Sequence, residues 1–296
     1  MDFVYDRLRH VFGRDALDWF DKSYFVDWGV TLLIWFLSFL INLTPVFERD
    51  INLGDISISH PHKKNTVGSP FNHWVALLVP ILVISFGGVR RRSLVAIHHG
   101  VISVCAARGL ARLVTVFMKH TVDRLRPDFL DRCKWDAHEK VCTGKLEDVI
   151  NGRESFPSGH SSTVFSGMTV LSLWIAGQTA AWCSNAPNEP TRIPSSRMAS
   201  LSLTTIPLFW AVFVAISRVE DNRHHPEDVV VGSIIGILCA ILCYNVFWPN
   251  VFAARSFTQD VTGQPRLLYT ESLADRDAVN TFGLTRIEDG DIEEGV

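Results

Sequence analysis

Apolar positions along the chain gather into six near-continuous stretches: Trp28 to Phe47, Phe71 to Val89, Leu94 to Met118, Ser161 to Cys183, Met198 to Ser217 and Val229 to Trp248. Each is close to the roughly 20 residues that a bilayer-spanning helix needs, and charged segments separate them. Buried core helices of a soluble protein would not explain six such lengths. The pattern predicts an all-α polytopic membrane protein built as a six-transmembrane-helix bundle. Residues 1–27 then form an N-terminal segment, 28–248 the six-span domain and 249–296 a tail. The first 26 residues are charged throughout and lack the apolar centre of a secretory signal, so the first span is expected to serve as an uncleaved insertion signal.

Between the second and third spans the chain has room only for Arg90-Arg91-Arg92. So short and purely basic a turn belongs on the cytoplasmic side by the positive-inside rule. With an even number of spans both termini become cytoplasmic, and the loops around 48–70, 119–160 and 218–228 fall on the luminal or extracellular face. The 119–160 loop holds more Lys and Arg than the Arg90–Arg92 turn, against a plain charge count. The short turn is the better guide, because a basic cluster on the far side can have a functional cause.

Composition changes this picture little. The net charge is −3 and gives no reason to expect a nucleic-acid partner. Its acidic excess lies mainly after Pro249, in a tail that reads as flexible and solvated. Cys105, Cys183, Cys239 and Cys243 fall inside apolar spans and read as small core residues. Cys133 and Cys142 share one polar loop, where they are either a disulfide, if the loop faces an oxidising compartment, or two free thiols. A structural zinc site is not expected, since the loop offers only His138 beside them.

Three polar segments carry candidate chemistry. In "KHTVDRLRP", Lys119 and Arg126 stand seven residues apart. On one helix they would emerge on the same face about 10 Å apart along the axis, able to converge on an anion. Pro127 would end that helix and leave Arg126 at its frayed end. In "PSGH", Ser158 offers a hydroxyl, Gly159 lets backbone N–H groups approach a ligand, and a helix start adds a positive dipole end, ahead of His160. In "SRVEDNRHHPEDVV", Arg218 is followed by His224, His225 and Asp228, with Pro226 suited to a helix's first turn. Asp228 would accept a hydrogen bond from one imidazole nitrogen and aim the other outward, as a nucleophile or base. Each segment also has an ordinary reading: snorkelling cations, a serine cap, an acidic helix start. All three nevertheless fall on one predicted membrane face, so three ordinary explanations would have to coincide.

Together these segments resemble the three motifs of the type 2 phosphatidic acid phosphatase superfamily: Lys, six residues, Arg-Pro; Pro-Ser-Gly-His; Ser-Arg, five residues, His, three residues, Asp. The wording "RLRPDFLDRC" and "SFPSGHSS" is most similar to the eukaryotic, fungal-type lipid phosphate phosphatase branch. The motifs cover about 25 positions, and the likeness in span count and motif placement runs from Trp28 to Trp248. The resemblance implies an active site at the luminal or extracellular membrane face and hydrolysis of phosphatidate, diacylglycerol pyrophosphate or related lipid phosphates. It implies that His224 attacks phosphorus and forms a phosphohistidine, that Asp228 orients His224, and that His160 protonates the leaving alkoxide and later activates water. Lys119, Arg126, Ser158, Gly159 and Arg218 would bind the phosphate. It implies no metal and no cofactor, and the chain shows no carboxylate cluster of the kind that holds magnesium for phosphoryl transfer.

The same resemblance leaves a lipid phosphotransferase, a non-catalytic lipid-phosphate-binding protein and a vanadium haloperoxidase as competitors. The partners expected are the lipid phosphate substrate and membrane lipids, and a homo-oligomer is compatible with these features. An endomembrane (vacuole, Golgi or ER) or the plasma membrane would suit the chain. Arg108 and Arg112 continue the Lys119 stripe into the third span, and either line a wet cavity below the phosphate or mark a span shifted outward. His98 and His99 read as cytosol-facing or packed polar residues, and the Asn42-Leu43-Thr44 sequon as silent.

Overall fold

The computed structural model describes residues 11–13, 17–139, 141–185, 196–257 and 262–269. Its long helices are α1 (Ser23–Ile41), α2 (Ser69–Arg90), α3 (Leu94–Val122), α6 (Gly159–Thr179), α7 (Arg197–Glu220) and α8 (Pro226–Phe247). Two short helices, α4 (Phe129–Cys133) and α5 (Leu146–Arg153), and a hairpin of β1 (Trp135–Asp136) and β2 (Val141–Cys142) lie between α3 and α6. Among the described residues five helices, α1, α2, α3, α7 and α8, are long and apolar enough to cross a membrane. They carry large apolar side chains outward, such as Phe36, Phe86, Phe209 and Leu242, as a lipid-facing surface requires.

The helix α6 differs from these five because it faces protein. It packs against α2, α3, α7 and α8, and nearly all of its residues are buried. Its serines, threonines and glycines lower its hydropathy and let its neighbours approach. Its tightest approach is to α2, where a Cβ on Gly167 would run into the Ala76 carbonyl oxygen, and it also lies close against α8. A Cβ on Gly232 would lie 2.5 Å from the Ser158 carbonyl oxygen, and one on Gly236 would lie 2.7 Å from that of Ser162. The Ser158 N–H also donates to the Asp228 carbonyl, 2.9 Å away. The starts of α6 and α8, which carry His160 and Asp228, are thereby locked together.

Two helix ends differ from the sequence reading. The first helix runs Ser23–Ile41 instead of beginning at Trp28 and reaching Phe47. It stops because Thr44 precedes Pro45, which disfavours helix there. α3 ends at Val122, short of Pro127, because Asp123 adopts a left-handed conformation with φ 43°. The Asp123 carboxylate is buried and takes the Arg49 N–H and, at 2.9 Å, the Arg153 guanidinium. Lys119 and Arg126 therefore do not share a helix, and it is the fold of the loop that brings them together.

At that end of the bundle the loops clasp one another. His62 donates its N–H to Asp131 at 2.7 Å, Thr66 bonds Asp221 through its N–H at 2.8 Å and its hydroxyl at 2.7 Å, and Asn222 reaches the Pro61 carbonyl at 3.1 Å. Cys133 and Cys142 are joined as a disulfide, and Cys105, Cys183, Cys239 and Cys243 are free. At the opposite end His99, fully buried, meets the Tyr24 hydroxyl at 3.3 Å, and His98 accepts from Trp28 Nε1 at 3.0 Å. Both histidines are packed polar residues. The first part of the tail is packed there too: the Tyr269 hydroxyl donates to Asp27 at 3.1 Å, and Arg91 Nη1 donates to the Gly263 carbonyl at 2.8 Å. Residues 270–296, which hold most of the tail's acidic run, lie outside the described residues.

Two outcomes follow from this packing. Thiol alkylation of the denatured, unreduced protein should label four cysteines, and six after reduction; six without reduction would refute the disulfide. Gly232→Ala should lower stability in detergent by about 1–3 kcal/mol, because backbone must move to admit the methyl group. Gly29→Ala on α1, where a Cβ meets nothing within 4 Å, serves as the control in the same thermal-unfolding measurement.

Candidate active site

The loop end of the bundle holds a cavity of about 260 Å³. His160 and His224, from the start of α6 and from the turn before α8, both line it, as do Lys119, Arg126, Arg218 and Gly159. Residues scattered from 119 to 224 thus meet around one volume. Arg223 and Arg112 bring the cations at the wall to five, against one carboxylate, Glu154, among the described residues. Such an excess of positive charge in an enclosed space favours an anion.

His224 is 2 % exposed and its Nδ1 lies 2.7 Å from the Ser155 carbonyl. A carbonyl only accepts, so Nδ1 carries the proton and Nε2 keeps its lone pair. Burial holds the His224 pKa down at about 3; the Asp228 carboxylate opposes this, while Arg126 and Lys119 reinforce it. The ring is neutral and ready to donate electrons. Across the site, His160 Nε2 is buried without a hydrogen-bond partner in the protein, while its backbone carbonyl takes the Asn72 amide at 3.1 Å.

The role of Asp228 differs in one respect from the sequence reading. Its Oδ2 is 3.8 Å from His224 Nδ1, beyond hydrogen-bond reach, and the Ser155 carbonyl takes that place. Asp228 instead binds the Ser155 hydroxyl at 2.5 Å, the His225 N–H at 3.0 Å and Arg124 Nη1 at 2.7 Å. It therefore fixes the segment that supplies the carbonyl, and orients His224 through Ser155. His225 turns away, with Nε2 3.1 Å from the Leu125 carbonyl.

The cations are held in different ways. Arg218 is fully buried and bound to Ser217, Asp221 at 2.8 Å and Asn65 at 3.1 Å. Lys119 Nζ is 3.6 Å from Glu154. Arg126 reaches the Glu154 carbonyl at 3.4 Å and its Nε has no partner. Burial and then Arg132 lower its pKa to about 9, which still leaves it charged at neutral pH.

A family profile described as the PAP2 superfamily matches residues 100–252, a span that contains all three motifs and most of the cavity wall. The chain belongs to the PAP2 superfamily. It is 34% identical over 234 residues to lipid phosphate phosphatase 1 of Arabidopsis thaliana, covering 76% of this chain and 68% of that protein. It is 28% identical over 240 residues to diacylglycerol pyrophosphate phosphatase 1 of Saccharomyces cerevisiae, with 76% and 80% covered. Lipid phosphate phosphatase 2 of Arabidopsis thaliana is 29% identical over 276 residues, with 88% of each chain covered. No solved structure matches.

Of the motif residues of this PAP2 chain, Ser158 is the one whose ordinary reading the geometry favours. It is fully buried and caps α6, its Oγ accepting from the Ser161 hydroxyl at 3.1 Å and the Ser161 amide at 3.4 Å, and it does not line the cavity. Arg223, Arg124 and Ser155 were not singled out from the sequence. Arg223 stood inside the third motif and Arg124 inside the first, but nothing in the spacing separated them from solvated charge. Ser155 carried no signal, because it acts through its backbone carbonyl as well as its hydroxyl.

Proposed function

We propose that the protein is an integral-membrane lipid phosphate phosphatase that works through a phosphohistidine. The observation that supports this reading is that His224, its Nδ1 spent on the Ser155 carbonyl, and His160, its Nε2 unpartnered, line one cation-rich cavity. The names of its relatives point the same way. His224 Nε2 attacks phosphorus, the bond from phosphorus to the lipid oxygen breaks, and His160 supplies the proton that the departing oxygen takes up. Water, deprotonated by His160, then attacks the phosphohistidine and releases inorganic phosphate. Lys119, Arg126 and Arg218, joined by Arg223 and the Gly159 amide, gather the charge on the equatorial oxygens. Ser158 contributes by holding the start of α6.

Side-chain cations meet the phosphate charge in this reading, so the reaction is proposed to proceed without a metal ion. The acyl chains remain among the helices, so the lipid does not leave the bilayer. The site is assigned to the luminal or extracellular face, with both termini cytoplasmic and α6 counted as a sixth span. The short Arg90–Arg92 turn supports that orientation, and the Cys133–Cys142 disulfide beside the site suits an oxidising compartment.

In mixed micelles, phosphatidate should release inorganic phosphate at an undiminished rate in EDTA. His224→Ala should lower kcat by at least about 10³-fold, whereas His225→Ala should cost less than about tenfold. Activity lost in EDTA and restored by magnesium would refute the metal-free route, and an active His224→Ala would refute the nucleophile. A second outcome concerns pH. Because the His224 pKa is lowered, its protonation removes activity only as pH falls towards about 3, well below the ordinary imidazole value. The acid limb of kcat/KM should therefore belong to the substrate, near pH 6 for a phosphate monoester. It should move when a lipid phosphate of different pKa is used; a fixed limb near pH 6.5 would contradict the assignment.

A further inference from the structure

The cavity is deeper than one phosphoryl group requires. It touches both Lys119 and Arg112, which stand seven residues apart on α3 and so about 10 Å apart along the helix axis. The outer level holds Lys119, His160 and His224. The inner level holds Arg112, with His73 of α2 and Thr163 of α6 facing the same space. Nothing in the attack on a single phosphate uses that inner level.

Arg112 is an unusual residue to find there. Its Nε donates to Ser38 Oγ at 2.9 Å, and among the described residues no carboxylate pairs with it. Four residues further into the bundle, Arg108 is 5 % exposed, spends Nη1 on the Thr163 carbonyl at 3.3 Å and leaves Nε without a partner. Two guanidinium groups at that spacing repel each other, and unpaired charge at membrane depth is costly unless it serves a ligand or a wet cavity. An anion at the inner level would relieve both costs, and a guanidinium matches a phosphate by a pair of parallel hydrogen bonds.

We propose that Arg112 forms a second anion subsite, which takes the phosphate of the leaving group when the lipid carries two phosphates in series. The proposal rests on the phosphatase reading above and sharpens its substrate class to lipid pyrophosphates. The order of groups in such a lipid fits the order of levels in the cavity: terminal phosphate outermost, second phosphate next, glycerol and acyl chains deepest. His224 Nε2 bonds to the terminal phosphorus, and the bond from that phosphorus to the bridging oxygen breaks. The electron pair stays on the bridging oxygen, which leaves as part of a phosphate monoester, protonated by His160 and with its charge met by Arg112. Water then releases the terminal group as inorganic phosphate. A lipid with one phosphate offers the inner level only an ester-bearing glycerol, which cannot pair a guanidinium.

The test compares kcat/KM for diacylglycerol pyrophosphate and for phosphatidate in the full-length wild type and in Arg112→Gln, which keeps length and a donor for Ser38. The pyrophosphate-to-phosphatidate ratio should fall at least about tenfold in the variant, as expected for loss of one partner of a desolvated charge pair. Arg112→Lys should restore part of it, since a point charge replaces a fork. An unchanged ratio, whether both activities fall together or neither falls, would overturn the subsite. A wild type inactive on both lipids would refute the phosphatase reading instead. The subsite is then decided by calorimetric titration of the detergent-solubilised protein with inorganic pyrophosphate and orthophosphate. Wild type should bind pyrophosphate more tightly, and Arg112→Gln should remove most of that preference; a preference that survives the substitution would overturn the proposal.

Discussion

Cationic side chains held around one small cavity are the constraint on which the rest of this structure depends. Five of them face the cavity and would drive one another apart if left free. Two of them, Arg218 and Arg223, have carboxylates placed behind them, outside the cavity, and further acids brace the loops that carry the rest. Asp221 holds Arg218 at 2.8 Å and also ties down Thr66, so one aspartate links α7 to the loop before α2. Asp128 holds Arg132 at 2.9 Å and His62 at 2.8 Å, with Arg223 3.7 Å away. Asp228 joins Arg124, Ser155 and the start of α8. Each acid neutralises charge at the rear and leaves positive potential at the front.

This arrangement also explains why the loops are ordered without an apolar core of their own size. Only a small cluster around Ile58, Phe129 and Cys133 sits beneath them. Buried ion pairs of this kind do little for net stability, but breaking one strands its partner in low dielectric. The loops are therefore committed to one arrangement, and that arrangement presents the cavity.

Much of this was legible in the sequence, and the gaps have physical causes. Hydropathy located all six long helices, five of them because lipid-facing residues must be apolar; α6, the stretch from Ser161, carries more hydroxyls because a helix enclosed by others is free of that rule. Motif spacing brought His160, His224, Lys119, Arg126 and Arg218 to one place. Spacing could not see that α3 breaks at Asp123, since the break depends on Arg49 and Arg153, both distant in sequence. It also assigned the His224 hydrogen bond to Asp228, because a backbone carbonyl such as that of Ser155 leaves no mark in a list of side chains. Arg112 was visible as a charge in an apolar run, and it lines the cavity, whereas Arg108 is not among the lining residues.

The hydroxyl-rich character of α6 has a consequence for biogenesis. α1, α2 and α3 precede it in the chain, whereas two of the helices it packs on, α7 and α8, follow it and are made later. During that interval its serines and threonines would be stranded beside acyl chains if they relied on neighbours. Several do not: Ser162 donates to the Gly159 carbonyl at 3.3 Å, Ser166 to that of Thr163 at 2.8 Å and Thr179 to that of Ile175 at 2.9 Å, all within the same helix. The segment can thus meet an apolar environment with several of its hydroxyls satisfied, and the cavity is completed only when the turn before the last helix, which carries His224, is in place.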